Sequence, residues 1–303
     1  MPIASKTLAA IEAALEADQG TTFRRHLRAA MPLAEDAYRD EEDSFRSHLG
    51  ASLIGRECAR EIWYGFHWVT KPKFPGRILR LFNRGHLEEP RFVALLQMIG
   101  ATVWQHDANG KQFRINDHNG HFGGSLDGVA ADIPDVVGEP VLVEFKTHNA
   151  KSFAKLKSDG VMEAKWEHFV QMQIYMGKNG LRWALYMAVN KNDDDVYAEL
   201  VAFDKTQYDR YLERAGSIIG AAEPPPRINN SVGFFKCKFC DHAKVCHLDA
   251  LPERNCRTCA HSRPAENSAW RCYRGDRYGD ITKELMATGC EDYTLNPSIK
   301  AKA

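Results

Sequence analysis

The pattern of apolar and polar positions predicts a helical start to the chain. Apolar residues recur at helical spacing in "TLAAIEAALEA", "AEDAYRDEEDSFRSHL" and "REIWYGFHWV", so residues 1 to about 70 are predicted to be mostly helical. Another helix is predicted near 86–99, where "HLEEPRFVALLQMI" precedes Gly100, because a glycine often ends a helix.

The middle of the chain changes to short strands. "ATVWQHDANGKQFRI" predicts two strands around an Asn-Gly turn, and "HFGGSLDGVAADI" and "EPVLVEFKTH" predict further strands. "RWALYMAVNKNDDDVYAELVAF" predicts a second hairpin with its turn at "NKNDDD". Helices are expected for "WEHFVQMQIYMGK" and for 205–221, which ends before Pro224–Pro226. Strands mixed with helices in this way indicate an α/β protein.

Composition shifts divide this pattern into segments. The proline triplet marks the clearest boundary, and seven of the eight cysteines follow it. We therefore expect an N-terminal helical segment over 1–50, an α/β core over 51–223, a linker with three close cysteines over 224–250, and a cysteine-rich module over 251–303.

Charge and hydropathy bound the classes of function. The 303 residues are 44% hydrophobic, and 40 basic residues balance 40 acidic ones, so binding to nucleic acid would need local basic strips. No segment approaches the roughly 18 apolar residues of a membrane span, and the N-terminus lacks the pattern of a cleavable signal. We expect a cytoplasmic protein with no membrane partner, whose cysteines bind metal rather than form disulfides. The candidate basic strips are Arg77, Arg80 and Arg84; Lys146, Lys151, Lys155, Lys157 and Lys165; and Arg271, Arg274 and Arg277.

The strand "VLVEFKTH" carries the strongest chemical signal. Because side chains alternate along a strand, Glu144 and Lys146 project from one face while Val143 and Phe145 project from the other. Burying an acid and an amine on one face of a strand costs free energy, so such a pair indicates a functional role. Upstream, "SLDG" places Asp127 beside a glycine, where a strand end can direct its carboxylate inward. The alternative is a surface ion pair and an ordinary turn.

The order Asp-x16-Glu-x-Lys resembles the PD-(D/E)xK nucleases. "RGHLEEP" is similar to the first acidic motif of RecB-like and lambda-type exonucleases, which points to Glu89, with Glu88 as its rival and His86 as an additional ligand in some RecB-like members. "FVQMQIYMG" resembles the Q-x-x-x-Y helix of this family through Gln171 and Tyr175, which share one helix face. The resemblance covers roughly 50–250 and implies a restriction-endonuclease-like core, with a mixed central sheet flanked by helices.

Carboxylate oxygens suit Mg²⁺ or Mn²⁺, and such ions can generate hydroxide and neutralise charge on a phosphate. The resemblance implies that Lys146 orients the attacking water, and that Gln171 and Tyr175 position Lys146 or the DNA backbone. The implied ligands of one or two such ions are Glu89, Asp127, Glu144, the backbone carbonyl of Phe145 and, as an additional ligand, His86.

The run "CKFCDHAKVC" places Cys237, Cys240 and Cys246 within ten residues, and Cys58 lies far upstream. This layout resembles the iron–sulfur staple of RecB-like nucleases, including CRISPR-associated ones, and implies a 4Fe–4S cluster on these four thiolates. The rival is zinc, with help from His242 or His247.

A second group of cysteines follows in "NCRTCAHSRP", "WRCYRG" and "ATGCEDY". A C-x2-C pair followed by two spaced cysteines predicts a structural zinc on Cys256, Cys259, Cys272 and Cys290, where His261 could replace one ligand. We expect this module mainly to support the fold, with DNA contact as a secondary role.

Together these patterns predict a metal-dependent deoxyribonuclease, expected to be an exonuclease. It would act on DNA ends in replication, recombination, repair or a phage equivalent, with recombination or replication proteins as partners. The alternative is a non-cleaving subunit that retains the fold and binds DNA or a protein. Cleavage polarity, strand preference and oligomeric state stay open.

Overall fold

The computed structural model describes residues 2–34, 38 and 45–300. Most of the helix predicted from "AEDAYRDEEDSFRSHL" lies outside these residues, at 35–37 and 39–44. Its last residues, 45–49, form bends and the start of a strand.

The α-helices of the described residues, in chain order, are α1 (Ser5–Asp18), α2 (Thr21–Ala30), α3 (Ala59–Phe66), α4 (Gly76–Met98), α5 (Ala150–Ala164), α6 (Trp166–Asn179), α7 (Lys205–Gly220), α8 (Phe235–Lys238), α9 (Ala243–His247) and α10 (Lys283–Thr288). The strands are β1 (Leu49–Gly50), β2 (Thr102–Trp104), β3 (Arg114–Asp117), β4 (Phe122–Ser125), β5 (Gly128–Ala131), β6 (Val141–His148), β7 (Trp183–Asn190), β8 (Val196–Ala202), β9 (Ser262–Pro264), β10 (Trp270–Cys272) and β11 (Gly279–Asp280).

The chain forms two compact units, each built from separate stretches of sequence. The first unit comprises Met1–Tyr38, Phe74–Ile115 and Ser125–Asp209. The second comprises Arg39–Lys73, Asn116–Gly124 and Arg210–Ala303.

A five-stranded mixed sheet with the order β2-β5-β6-β7-β8 forms the centre of the first unit. Its pairs are antiparallel except for β6 and β7, which run parallel. Parallel neighbours need a crossover connection, which α5 and α6 supply. The expected α/β class with a mixed central sheet and flanking helices is therefore confirmed.

The two faces of this sheet carry different side chains. On one face Val143 and Phe145 of β6 join a hydrophobic core to which α1 and α4 also contribute. The ring of Phe92 on α4 stacks on Phe145, with centroids 5.0 Å apart. The opposite face of β6 carries Glu144 and Lys146, and α5 and α6 pack against the sheet there. The alternation expected for "VLVEFKTH" thus separates an apolar face from a polar one.

The second unit contains α3, a short helical pair α8 and α9, and a three-stranded antiparallel sheet with the order β11-β10-β9. Arg257 is the most deeply buried arginine among the described residues of this unit, and its guanidinium lies 3.9 Å from the ring centroid of Trp68 and 4.7 Å from that of Trp270. Arg257 also donates to the carbonyls of Phe66 and Ser47. These contacts satisfy a charge that would otherwise be costly to bury.

Two local expectations needed correction. The strands predicted around the Asn-Gly turn do not form a simple hairpin, because β2 pairs with β5 whereas β3 belongs to a separate sheet with the order β1-β4-β3. Near the turn, His106 and Gln112 form an isolated antiparallel bridge. The helix predicted near 86–99 begins earlier, at Gly76. None of the described helices combines the length and apolar character needed to cross a membrane.

Candidate active site

Two adjacent strands bring Asp127 and Glu144 together. Asp127 immediately precedes β5, which pairs antiparallel with β6, and Gly128 lies opposite Val143. A Cβ added at Gly128 would lie 2.8 Å from the carbonyl oxygen of Trp104, so only glycine allows β2 to approach this closely. The glycine of "SLDG" thereby fixes the position of the preceding carboxylate.

Lys146 lies between the two carboxylates. Its Nζ donates to Glu144 Oε1 and to the carbonyl oxygen of Phe145, at 3.1 Å, and lies 3.9 Å from Asp127 Oδ2. Asp127 Oδ2 also accepts a hydrogen bond from the backbone N–H of Phe145, at 2.7 Å. The other oxygen of Glu144, Oε2, is buried and has no hydrogen-bond partner. A buried carboxylate oxygen without a donor is costly, and a bound cation or water would satisfy it.

The charges of this group are strongly perturbed. Burial raises the pKa of Glu144; the Lys146 ammonium opposes this effect and the Asp127 carboxylate adds to it. Burial lowers the pKa of Lys146, but the carboxylates of Glu144 and Asp127 outweigh burial and raise it. Lys146 therefore keeps its proton at neutral pH. Perturbed acids and amines of this kind are concentrated at functional sites.

Gln171 and Tyr175 line the same group from α6. Both side chains are buried, and Gln171 Nε2 lies 3.5 Å from the Tyr175 hydroxyl. The helix α6 packs against β6. Burial raises the pKa of Tyr175, and the charges of Glu144 and Asp127 raise it further. The structure thus brings together five predicted residues: Asp127, Glu144, Lys146, Gln171 and Tyr175.

The candidates on α4 lie on the helix that packs against the opposite face of β6. Glu89 pairs with His86 at 3.8 Å, and Glu88 pairs with Arg91 at 3.7 Å. Burial raises the pKa of Glu88, while the nearby cations of Arg91 and Arg84 lower it. In the described part of the chain, no three His, Cys, Asp or Glu side chains are arranged to hold a metal ion. The assignment of Glu89, Glu88 or His86 as a ligand therefore stays a prediction.

Sequence reasoning missed a second polar cluster beside Lys146. His148 Nε2 and His168 Nδ1 lie 2.9 Å and 3.0 Å from the hydroxyl of Tyr186. Strand alternation could have identified His148, which follows Lys146 by two residues. Tyr186 could not be found in this way, because its position opposite Glu144 depends on the parallel register of β6 and β7.

In the second unit, the four cysteines predicted as cluster ligands line one cavity. Cys58 caps the N-terminus of α3, Cys237 lies on α8 and Cys246 on α9, with Cys240 between the two short helices. Burial raises the pKa of Cys237, and it raises the pKa of Cys240 to about 12. His242 and His247 line the same cavity, and His242 Nδ1 contacts Thr70 Oγ1 at 2.8 Å.

The cysteines of the second group also lie near one another. Burial raises the pKa of Cys256 to about 11, and the neighbouring thiols of Cys259, Cys290 and Cys272 raise it too. Arginines of this module pair with acids of the same module: Arg271 with Asp280, Arg274 with Asp276 and Asp292, and Arg277 with Glu291 and Asp292.

Comparison with known proteins finds similar solved structures. No protein-family model and no curated protein matches the chain. The solved structure of LHK-Exo in complex with dAMP is similar over 64% of this chain and 90% of its own, at 16% identity and a TM-score of 0.42. An alkaline exonuclease (LHK-Exo) from Laribacter hongkongensis covers 57% of this chain and 86% of its own, at 16% identity and a TM-score of 0.41. The crystal structure of SSO0001 is similar over 77% of this chain and 98% of its own, at 15% identity and a TM-score of 0.40.

Proposed function

We propose that this protein is a divalent-metal-dependent nuclease that hydrolyses phosphodiester bonds in DNA, acting as an exonuclease. The observation that supports it most directly is the arrangement around Lys146, whose ammonium lies between the Asp127 and Glu144 carboxylates. Glu144 Oε2 is buried without a partner, so this oxygen fits the role of a ligand for Mg²⁺ or Mn²⁺. Asp127 and the Phe145 carbonyl are the further proposed ligands, and an acid from α4 stays a prediction from the sequence.

A bound divalent ion would supply charge neutralisation at the phosphate and a water of lowered pKa. The chain's own residues do the rest. Lys146 keeps its proton beside two carboxylates, so it can hold the attacking water and stabilise negative charge on the phosphate. The backbone N–H of Phe145 fixes Asp127 in place. Gln171 and Tyr175 are buried polar side chains on α6, and in this proposal they position Lys146 or the DNA backbone.

End-labelled single- and double-stranded DNA incubated with Mg²⁺ or Mn²⁺ tests this proposal. We expect the wild-type protein to cleave DNA, and Glu144→Gln and Lys146→Ala each to lower the rate by about a hundredfold or more. Lys146→Ala should still bind the divalent ion, because it removes no ligand. The matched control is Asp135→Asn, which alters a carboxylate of the same unit that caps α1 through Thr7 and should leave cleavage unchanged.

Circular dichroism should find all three variants folded. No cleavage by the wild-type protein, or normal cleavage by Glu144→Gln, would contradict the proposed site. The labelled ends also report the polarity of digestion and the strand preference.

We also propose metal roles for both cysteine groups. Cys58, Cys237, Cys240 and Cys246 line one cavity, and four thiolates are the usual ligand set of a 4Fe–4S cluster. The neighbouring thiols Cys256, Cys259, Cys272 and Cys290 match a structural zinc site by residue type. In the described part of the chain neither group is arranged as a closed ligand set, so both proposals rest on residue type and proximity. In the second unit these sites would stabilise the region of α8, α9 and α10, which are short helices.

A further inference from the structure

The polar cluster beyond Lys146 is not used by the hydrolysis proposed above. It lies on the same face of β6 as Glu144 and Lys146, because His148 follows Lys146 by two strand positions. His148 Nε2 lies 2.9 Å from the hydroxyl of Tyr186, and His168 Nδ1 lies 3.0 Å from the same hydroxyl. Ser152 Oγ lies 3.3 Å from His148 Nδ1, and Lys165 Nζ donates to Ser152 Oγ.

One arrangement of protons satisfies every hydrogen bond of this cluster. An ammonium can only donate, so Ser152 Oγ accepts from Lys165, and in this arrangement its own proton is donated to His148 Nδ1. The proton of neutral His148 then lies on Nε2 and is donated to the Tyr186 oxygen. Tyr186 in turn donates to His168 Nδ1, which leaves the proton of His168 on Nε2.

The electrostatics of the cluster keep both imidazoles neutral. Burial lowers the pKa of His148 to about 4, and the ammonium groups of Lys165, Lys146 and Lys191 lower it further. Burial also lowers the pKa of His168, as do Lys146 and Lys165. The cluster therefore ends in an uncharged N–H donor, on a partly exposed side chain in the field of the Lys146 and Lys165 ammonium groups. This environment favours an anionic acceptor.

The position of His168 indicates which anion that is. His168, Gln171 and Tyr175 are three and four residues apart on α6, so they share one helix face. Tyr175 on that face lies near Glu144 and Asp127. The donor of His168 thus lies on the helix face that lines the proposed active site, where the anionic ligand is the phosphodiester of the substrate.

We propose that His168 contacts DNA, donating its Nε2–H to a non-bridging oxygen of a backbone phosphate, and that Tyr186, His148, Ser152 and Lys165 are positioning residues that fix this tautomer. The inference rests on the proposed nuclease function, for which it adds a substrate-binding residue. It assigns no proton transfer to the cluster.

The tautomers can be measured without activity. ¹⁵N NMR of the protein at pH 7 without added Mg²⁺ or Mn²⁺ should find His148 and His168 neutral and protonated on Nε2, once the signals of the 12 histidines are assigned with single-site variants. Tyr186→Phe removes the donor to His168 Nδ1 and should shift the ¹⁵N signals of His168 towards a mixture of tautomers. A wild-type His168 that is cationic or protonated on Nδ1 would overturn the inference.

A matched pair of substitutions tests the phosphate contact. His168→Gln can place an amide N–H near the former Nε2 position, whereas His168→Asn can place an amide only near Nδ1. We expect the KM for DNA to rise about tenfold in His168→Asn, with a smaller rise in His168→Gln and little change in kcat. His26→Asn, on α2, is the control and should leave KM unchanged. Equal effects of the two His168 substitutions, or none on KM, would contradict the contact.

The two proposals can fail separately. If the wild-type protein cleaves no DNA, the nuclease proposal fails, and fluorescence anisotropy with labelled DNA in Ca²⁺ replaces the KM measurement. The same order of affinities, wild type above His168→Gln above His168→Asn, would then still support the contact. Equal affinities would overturn it.

Discussion

In the second unit the imidazole of His67 stacks on Trp63, with ring centroids 3.7 Å apart, and meets Trp270 edge-on at 5.1 Å. Its Nδ1–H donates to the carbonyl of Arg257 at 2.7 Å, and its buried Nε2 has no partner. Burial lowers the pKa of His67 to about 3, and the Arg257 cation contributes in the same direction. Protonation would add a charge and an unsatisfied donor to an apolar interior.

This residue should make the protein sensitive to acid. Below pH 6.5 the unfolded state binds a proton at His67 that the folded state does not, so stability falls as the pH drops from 6.5 towards 3. The free energy of unfolding should fall by about 1.4 kcal/mol per pH unit because of this residue alone. His67→Asn retains a donor for the Arg257 carbonyl and should show a shallower loss.

Urea unfolding of the wild type and of His67→Asn at pH 7.5, 6 and 5 measures the two slopes. Other buried histidines add to the slope in both proteins, so the difference between the proteins isolates His67. Equal slopes would mean that His67 titrates alike in the folded and unfolded states, contrary to this prediction.

At the residue scale, much of the proposed site could be predicted from the sequence. Glu144 and Lys146 share a face because strand alternation is local. Gln171 and Tyr175 share a helix face for the same kind of reason. Whether the acid of α4 joins them depends on how a long helix approaches the sheet, and local pattern does not encode that.

At the scale of elements, α5 contains a break that places its second half. Gly160 has φ 73° and ψ 172°, a conformation available almost only to glycine. The next residue, Val161, donates its backbone N–H to Glu199 Oε2 at 2.8 Å, and Tyr197 donates to the same oxygen. A second helical stretch therefore begins after Gly160, and its first backbone N–H is hydrogen-bonded to the Glu199 carboxylate on β8.

Two glycine substitutions should have opposite effects. Gly160→Ala forces a side chain into this conformation and places a Cβ 3.4 Å from Glu199 Oε1. We therefore expect the free energy of unfolding to fall by about 2 kcal/mol. Gly85→Ala, inside α4, meets nothing within 4 Å and should stabilise the protein by about 0.5–1 kcal/mol. Thermal unfolding of both variants decides the matter, and a Gly160→Ala variant as stable as the wild type would contradict the strain.

The sequence predicted most elements of the first unit but not α5 or the partners of β2. The stretch of α5 is polar and broken by Gly160, which weakens its helical pattern. The Asn-Gly signal does favour a turn, and Gly110 has φ 73° there. Yet β2 pairs with β5, which lies further along the chain than the strand after the turn. This pairing depends on tertiary contacts, which the local sequence pattern does not contain.

At the scale of the whole chain, Cys58 and Cys240 are distant in sequence but line one cavity. If this site holds a 4Fe–4S cluster, Cys58→Ser and Cys240→Ser should lose iron to the same extent and lower the melting temperature, because the ligand bonds close a long loop. Iron analysis and absorption spectra of anaerobically purified protein measure this. A Cys58→Ser variant with full iron content, or an iron-free wild type after reconstitution, would contradict the assignment.

The second cysteine group supplies the matched control and a separate prediction. Cys259→Ser should remove about one zinc per chain and leave the iron content unchanged, whereas Cys240→Ser should leave zinc in place. Because burial raises the pKa of Cys256 to about 11, zinc uptake by metal-free protein should release protons into weak buffer. Protein purified without chelator that contains no zinc would contradict this site.

The sequence alone determined what depends on neighbours along the chain: the faces of β6 and α6, the glycine beside Asp127, and the spacing of the close cysteines. Tertiary structure decided what depends on distant partners. It paired β6 with β7 in parallel, which brought Tyr186 opposite Glu144, and it placed Cys58 beside three cysteines from far downstream. Periodicity records which face a residue occupies, whereas register and loop closure depend on contacts that no local pattern contains.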